Sequence, residues 1–324
     1  MSLSPPCSPN HVGIVTRTRD NALLLWRAME SVLDQSHTGW THVIVNDGGN
    51  REPVDRLAQR YRERYRDRLI VLHLEKSAGP EAGFNRAIAA LNCAYVAVHD
   101  DDDSWDRLFL EKSIATLATQ KELIPKMRGM MSWCTYVTEH LDGEKIVEDT
   151  SWPHNDYVSG VKLYELLARD FMPAICFLFE CDALNDLGSF DETLPRFGFR
   201  EFVLRFLTRY EIGVLPKCLA QYRQCSGASL AHGQTLYPHA NSYPLYEAQF
   251  RNEMLRRDMA AGKPGLGFLL SLATDSENLR TQQRQQENIA WQTQNLIKMQ
   301  ALPNTPQSLR KLILSWLCRY VMPR

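Results

Sequence analysis

The feature that most constrains this chain is an alternation in its first third. Short runs that are apolar throughout, "HVGIVT" (11–16), "THVIVND" (41–47), "LIVLHL" (69–74) and "AYVAVH" (94–99), are separated by helical patterns at 21–35, 54–65 and 81–91. In the first helical pattern Leu24, Leu25, Ala28, Val32 and Leu33 fall on one face. Strands without a polar face need cover on both sides, and helices between them supply it, so the pattern predicts a parallel, doubly wound α/β sheet. The middle of the chain is more mixed. "MMSWCTYV", "KIVED", "AICFLFE", "IGVLP" and "CLAQYRQ" read as strands, and "VKLYELLARD" and 201–210 as helices, forming the second half of the same domain. From about residue 242 the pattern is almost purely helical, which divides the chain into a domain at 10–240, with halves at 10–105 and 106–240, and a helical extension at 241–324.

Ligands of open α/β sheets bind beyond the carboxyl ends of the strands. The four ends here carry Thr16, Arg17, Thr18 and Arg19; Asp47 before Gly48 and Gly49; a loop with Gly79 and Gly83; and four consecutive aspartates, Asp100 to Asp103. Neighbouring buried carboxylates cannot all ionise without a cation. A hard divalent ion takes oxygen ligands from one or two carboxylates and from substrate phosphates. An isolated acidic run is more commonly a solvated helix cap. At a ligand-binding edge, opposite basic and glycine-rich loops, metal binding is the stronger reading. If the segment is extended, Asp100 and Asp102 share a side, leaving Asp101 and Asp103 to face elsewhere and cap the helix that follows. Asp-Gly is commonly a plain turn, but its position at a strand end favours ligand contact. Arg17 and Arg19 suit phosphate or a surface salt bridge equally, and His99 suits core or ligand equally. No G-x-G-x-x-G follows the first strand and no P-loop motif occurs, which excludes the common dinucleotide and P-loop readings.

Whole-chain properties narrow the setting. A net charge of -1 gives no signal for a nucleic-acid partner. Eight scattered cysteines without a C-x-x-C pair read as free thiols in a reducing compartment. "MSLSPPCSPN" is unlike a signal peptide, and no apolar run has the length of a membrane span. The expected location is cytoplasmic, with peripheral attachment to the inner face of the plasma membrane. In "SLRKLILSWLCRYVMPR" (308–324), Leu309, Leu312, Ile313, Trp316, Leu317, Tyr320 and Val321 form a stripe flanked by basic residues. Such a helix suits an anionic bilayer surface. Docking on the core or on a second copy of the chain, as a homo-oligomer, is the alternative.

Several of these motifs, in order, resemble the inverting GT-A fold glycosyltransferases of family 2. The resemblance rests on "VGIVTRTRDNALLLWRAMESVLDQS", "WTHVIVNDGG", "GPEAGFNRAIAALNCAYVAVHDDDDSW", "MPAICFLFECDALNDLGSFDETL" and "LRFLTRYEIGVLPKCLAQYR", covering about Val12 to Arg223. It implies a nucleotide-sugar donor, UDP- or dTDP-linked, a divalent cation (Mn2+ or Mg2+), and a saccharide or lipid-linked acceptor in surface polysaccharide or glycolipid synthesis. By position it puts Thr16, Arg17, Thr18, Arg19, Asp47, Gly79, Gly83, Asp100 and Asp101 around the nucleotide sugar, with Asp47 on the base. Asp102, with Asp100, goes to the metal. Arg17 and Arg19 replace the family's proline and aromatic residue. Gly198 and Phe199 replace the Glu-Asp pair that holds its catalytic base. The nearest carboxylate is Glu201, with Asp191 as substitute. Two positions along a helix turn a side chain by about 200°, so Glu201 serves only if it precedes the first regular turn. The alternatives are a nucleotide-sugar-binding domain of weak or no activity, and a magnesium phosphohydrolase, whose D-x-D motif would normally lie on the first strand.

Overall fold

The computed structural model describes residues 8–143, 145–194, 196–226 and 243–273, with Thr281 and Trp291 beyond them. The first third alternates as expected: β1 (Val12–Thr18), α1 (Ala22–Leu33), β2 (Trp40–Asp47), α2 (Arg51–Tyr65), β3 (Leu69–Leu74), α3 (Pro80–Ala89) and β4 (Tyr95–Val98). α1 buries Leu24, Leu25, Ala28, Met29 and Val32, which recur at helical spacing on one face. α2 buries only Val54, Tyr61 and Tyr65, and its start is capped by Asn50, whose side chain accepts from the Glu52 amide. The strands pair in parallel in the order β3-β2-β1-β4.

After β4 the chain forms β5 (Ser104–Trp105), α4 (Phe109–Leu123), β6 (Met127–Asp142), β7 (Lys145–Pro153), α5 (Leu163–Ala168), a 3-10 turn (Ala174–Cys176), β8 (Phe177–Glu180), α6 (Ala183–Leu187), α7 (Gly198–Leu207), β9 (Glu211–Ser226) and α8 (Tyr243–Ala261). Among the described residues nine strands make one sheet, β3-β2-β1-β4-β8-β6-β9-β5, with β7 on β6. β8 runs antiparallel to both β4 and β6, and β9 parallel to β6. Thus β1 to β4, β6 and β9 share one direction, and the sheet is mostly parallel.

β6 is two strands in one. Its start pairs with β8 and its end with β7, while β9 runs along its whole length. The sequence breaks β9 into two strands around Pro216, but the structure keeps one of 16 residues. The register passes from Ser132↔Leu215 to Trp133↔Cys218, so Pro216 and Lys217 fall in a bulge where the missing N–H is not needed. α8 packs on the main core through Phe250 and Met254, with the Phe250 ring stacked 5.0 Å from Phe197. No described helix is long and apolar enough to cross a membrane. The stripe at 308–324 lies outside the described residues, as does the boundary expected at 240.

Candidate active site

The carboxyl ends of β1 and β2 form a rigid rim around Asp47. Its fully buried carboxylate accepts from Arg17 Nη2 at 2.8 Å and Nε at 3.2 Å, Ser77 Oγ at 2.9 Å, and the amides of Ala78 at 2.7 Å and Gly79 at 3.2 Å. Asp47 therefore fixes the loop before α3 and clamps Arg17 onto it. Gly83 lets the Arg17 stem cross α3, since a Cβ there would come within 3.0 Å of Arg17 Cγ. Thr16 is buried 2.8 Å from His42 Nε2, whose Nδ1 lies 2.9 Å from the Tyr65 hydroxyl. Thr16 thus belongs to a polar chain beneath the rim. Burial keeps His42 well below its ordinary pKa and so neutral. Thr18 is buried beside Asp101. Arg19 is half-buried and makes no ion pair among the described residues.

The four aspartates do not form an extended segment, which corrects the alternating-side expectation. The chain turns immediately after β4, with the Asp103 amide reaching the Asp100 carbonyl at 3.4 Å. Asp101 points to the β1 end and accepts from Asn21 Nδ2 at 3.0 Å. Asp103 is buried and accepts from the Arg223 amide of β9 at 2.6 Å. It does not cap α4; Asp106 accepts from the Leu108 amide there, at 2.9 Å. Asp100 and Asp102 are half-buried and make no ion pair among the described residues. Burial pushes all four carboxyls up, with mutual repulsion added at Asp100, Asp102 and Asp103, and Asp100 reaches about 6.

Two arginines stand close, and the Arg27 charge only partly offsets the rise at Asp102 and Asp103. Arg27 donates to both oxygens of the buried Glu139, at 2.9 and 3.0 Å, and to the Asp102 carbonyl. Arg223 donates to Glu139 at 3.1 Å and to Ser104 Oγ at 3.3 Å. They hold the backbone of the turn while Glu139 takes their charge. Among the described residues no three ligating side chains converge, so a cation here would have one or two protein ligands, with phosphate and water completing its shell. Half-buried, repelling oxygen donors that make no ion pair among the described residues fit a hard divalent ion. His99 is a core residue: fully buried, edge-on to Trp105 at 4.4 Å, and lowered by burial to about 4.

The third wall is the start of α7. The helix begins at Gly198, and the Glu201 amide donates to the Phe197 carbonyl at 2.8 Å. Glu201 therefore lies inside the first regular turn, and the expectation that it precedes the helix is not met. Its buried carboxylate accepts from Arg205 Nε at 2.8 Å and Nη2 at 2.7 Å, an i,i+4 pair that holds it along the helix flank. Asp191 pairs with Arg257 of α8 at 2.7 Å and accepts from Thr193, and it titrates below the usual range. Phe199 packs on Phe177 and Phe190.

The space above Gly198 is filled from another helix. Glu81, in the first turn of α3, accepts from the Gly198 amide at 3.1 Å, and a methyl group on Gly198 would overlap the Glu81 side chain. Burial lifts the Glu81 carboxyl to about 7, against the pull of the Gly198 amide and Arg17 and with Asp191 adding to the rise. Glu81 makes no ion pair among the described residues. The Arg17 charge favours the ionised forms of Glu81, Asp100 and Asp101 alike. The sequence reading passed over Glu81 because an acid in a helix's first turn is ordinary. The contact with Gly198 had no local signal.

Comparison with known proteins identifies the family and the fold. The pattern described as "Glycosyl transferase family 2" matches residues 12–186, more than half of the chain. The chain is 34% identical over 103 residues to TuaG of Bacillus subtilis, named as a teichuronic acid biosynthesis glycosyltransferase; the match takes in 32% of this chain and 40% of TuaG. It is 27% identical over 195 residues to the pre-mycofactocin glycosyltransferase of Mycobacterium tuberculosis, over 59% of this chain and 38% of that protein. The chain thus spans well under two thirds of either relative. Among solved structures, S. aureus TarS 1-349 in complex with UDP-GlcNAc superposes with a TM-score of 0.50 at 16% identity, over 68% of this chain and 60% of that one. The mannosyltransferase PcManGT of Pyrobaculum calidifontis, in complex with GDP-Man and Mn2+, gives 0.50 at 16%, over 68% and 59%. At this identity the likeness is one of fold, and the fold is GT-A.

Proposed function

The chain belongs to glycosyl transferase family 2, and from that premise we propose that it moves a sugar from a UDP- or dTDP-linked donor to a saccharide or lipid-linked acceptor, with inversion, in surface polysaccharide or glycolipid synthesis. The observation that carries the reading is the acidic turn, two of whose carboxylates make no ion pair among the described residues, beside the loop that Asp47 and Arg17 hold rigid. In this reading Asp102 and Asp100 would hold a divalent cation, Mn2+ or Mg2+, that neutralises the departing diphosphate. Asp47 acts indirectly, by fixing the 77–79 loop and Arg17 against the nucleotide. Membership in this family sets the phosphohydrolase alternative aside.

The displacement needs a base for the acceptor hydroxyl. As that oxygen bonds to the anomeric carbon, the bond to the diphosphate breaks, the diphosphate leaves with the electron pair, and the hydroxyl proton goes to a carboxylate. Glu201 and Asp191 are tied to Arg205 and Arg257. We assign the role to Glu81, whose carboxyl sits at the α7 start and, at about 7, is poised to exchange a proton near neutral pH. A second reading, a domain that binds nucleotide sugar with little turnover, draws on Gly198 and Phe199, which leave the helix start without an acid of its own.

Calorimetry with UDP and dTDP, with and without Mn2+, tests the donor site. Tight binding that needs the metal and is lost in Asp102→Ala is expected. Equal affinity in the presence of a chelator would sink the metal reading. Donor hydrolysis without transfer to any acceptor would favour the second reading.

A further inference from the structure

The long ribbon beyond β8 lines up aromatic rings across its strands, of which Tyr222 also packs against the core. Trp152 of β7 and Tyr222 of β9 are both directly across from Tyr136 of β6 in the strand register. Residues opposite one another project from the same face of a sheet, so the three rings form a row across three strands. Ring centroids are 4.8 Å apart for Tyr136 and Trp152 and 5.4 Å for Tyr136 and Tyr222. His154 joins at 5.7 Å from Tyr136 and 6.0 Å from Tyr222. The row spans roughly 10 Å at the usual strand spacing. Its outer end is open, with Trp152 45% exposed, and the other rings are half-buried.

Its inner end lies one residue along β9 from the contacts that hold the acidic turn. Ser104 pairs with Gln221, and the Arg223 amide donates to Asp103 at 2.6 Å, so Tyr222 lies between two residues that contact the turn or its continuation. Polar groups flank the row. The Tyr136 hydroxyl donates to Gln224, and Thr138 and Thr150 pair at 2.6 Å one step along the strands. Asp170, exposed, stands within electrostatic reach of His154.

We infer that this row is the acceptor subsite, and that its ligand is a saccharide whose pyranose faces lie on Trp152 and Tyr136, with the reactive end directed past Tyr222 to the acidic turn. A pyranose has an apolar face of C–H bonds that suits the electron-rich face of an aromatic ring, and hydroxyls around its edge that suit the flanking amide, hydroxyl and carboxylate groups. A purely apolar ligand would leave those flanking groups unpaired. The inference rests on the glycosyltransferase reading for the direction of the chain, but its test does not.

Saturation-transfer NMR on the full chain, with methyl glycosides of glucose, galactose, mannose, rhamnose and N-acetylglucosamine as probes, reads the subsite directly. At least one glycoside should receive saturation from the wild type. Trp152→Ala should weaken its binding by roughly two- to tenfold, the range for one aromatic contact, and Trp152→Phe should restore part of it. UDP affinity with Mn2+, measured separately, should be unchanged in both variants, and Trp152 is exposed enough that its loss leaves the fold intact. No glycoside binding by the wild type, or binding indifferent to Trp152, overturns the inference. Binding of octyl glycosides alone would overturn it too, by showing a lipid site. Absence of UDP binding in the wild type is a different failure: it sinks the donor reading and leaves the aromatic row to be judged on the glycosides.

Discussion

The two halves of the sheet build their share of the proposed site in different ways. In β1 to β4 each strand ends at the same edge, so the functional groups follow one another along the chain, one cluster per βα unit. In the ribbon of β6, β7 and β9 they lie on three separate strands, and only the register brings Tyr136, Trp152 and Tyr222 together. The cores differ as well. Branched aliphatic residues fill β1, β2 and β4, whereas Phe177, Phe179, Phe190, Phe202 and Phe206 pack ring on ring around α7. Phe199 joins that cluster, which is a physical reason for an apolar residue where a carboxylate would otherwise stand. A repeating topology keeps its site local in sequence, and a ribbon with bulges scatters it.

Glu81 is where the two halves meet, and replacing it should have the largest effect. In Glu81→Gln, turnover should fall by about a hundred- to ten-thousandfold, with UDP affinity unchanged. For the wild type, kcat/KM should rise with pH through about 7 as the base loses its proton, and that limb should vanish in the variant. Stability should move the other way. A carboxyl raised from 4.5 to about 7 by folding binds a proton that the unfolded chain has released, so stability falls as pH rises across that window. The loss is on the order of 3 kcal/mol. Glu81→Gln should therefore melt higher than wild type at pH 8 and no higher at pH 4. Glu201→Gln supplies the contrast, with near-normal turnover and a lower melting temperature from the broken Arg205 pair. If Glu201→Gln abolishes turnover and Glu81→Gln does not, the base belongs to α7 alone and the junction reading fails.

What the sequence disclosed follows the same division. The four parallel strands, their helices and the edge carrying Asp47 and the aspartates were legible, because periodicity and strand ends are local properties. The turn at Asp100 to Asp103 was not, since an extended and a turned tetrapeptide have the same composition. Nor was the second role of Pro216, which ends a strand in a local reading and marks a bulge once β6 is alongside. Glu139 gave no signal either. It lies among exposed-looking polar residues near the end of β6, and only Arg27 from α1 and Arg223 from β9 make it a buried carboxylate.

That triad ties the halves together, and breaking it should have the next largest effect. Glu139→Ala leaves two arginines, each less than 15% exposed, Arg27 without its ion-pair partner and Arg223 with only the half-exposed Glu148 at 3.5 Å. Removing one partner from a buried ionic network typically costs about 3–5 kcal/mol, which urea denaturation would read as a lower midpoint at constant slope. The acidic turn would also lose its support through Arg27, so metal-dependent UDP binding should weaken. A midpoint within experimental error of the wild type would mean that the halves are held together by packing alone.

The smallest effect sharpens the comparison with a matched pair of glycines in the left-handed region, one in each half. Gly48 has φ +72° and follows Asp47; Gly143 has φ +64° in the turn between β6 and β7. Alanine in this conformation costs roughly 1–2 kcal/mol from the backbone alone. At Gly143 nothing lies within 4 Å of the added Cβ, so Gly143→Ala should show that penalty and no change in UDP affinity. At Gly48 the Cβ would overlap the backbone of Ser77, in the loop that Asp47 anchors. Backbone cannot swing aside as a side chain does, so the loop must shift, and with it the Ala78 and Gly79 amides that fix Asp47 and Arg17. Gly48→Ala should therefore lose more stability than Gly143→Ala and should also weaken UDP binding. The two variants start from nearly the same backbone conformation, so their difference isolates the close approach of the loop from the conformational term. Equal losses in stability, with UDP affinity untouched in both, would show that the 77–79 loop tolerates displacement and that the rim around Asp47 is not the rigid half of the site.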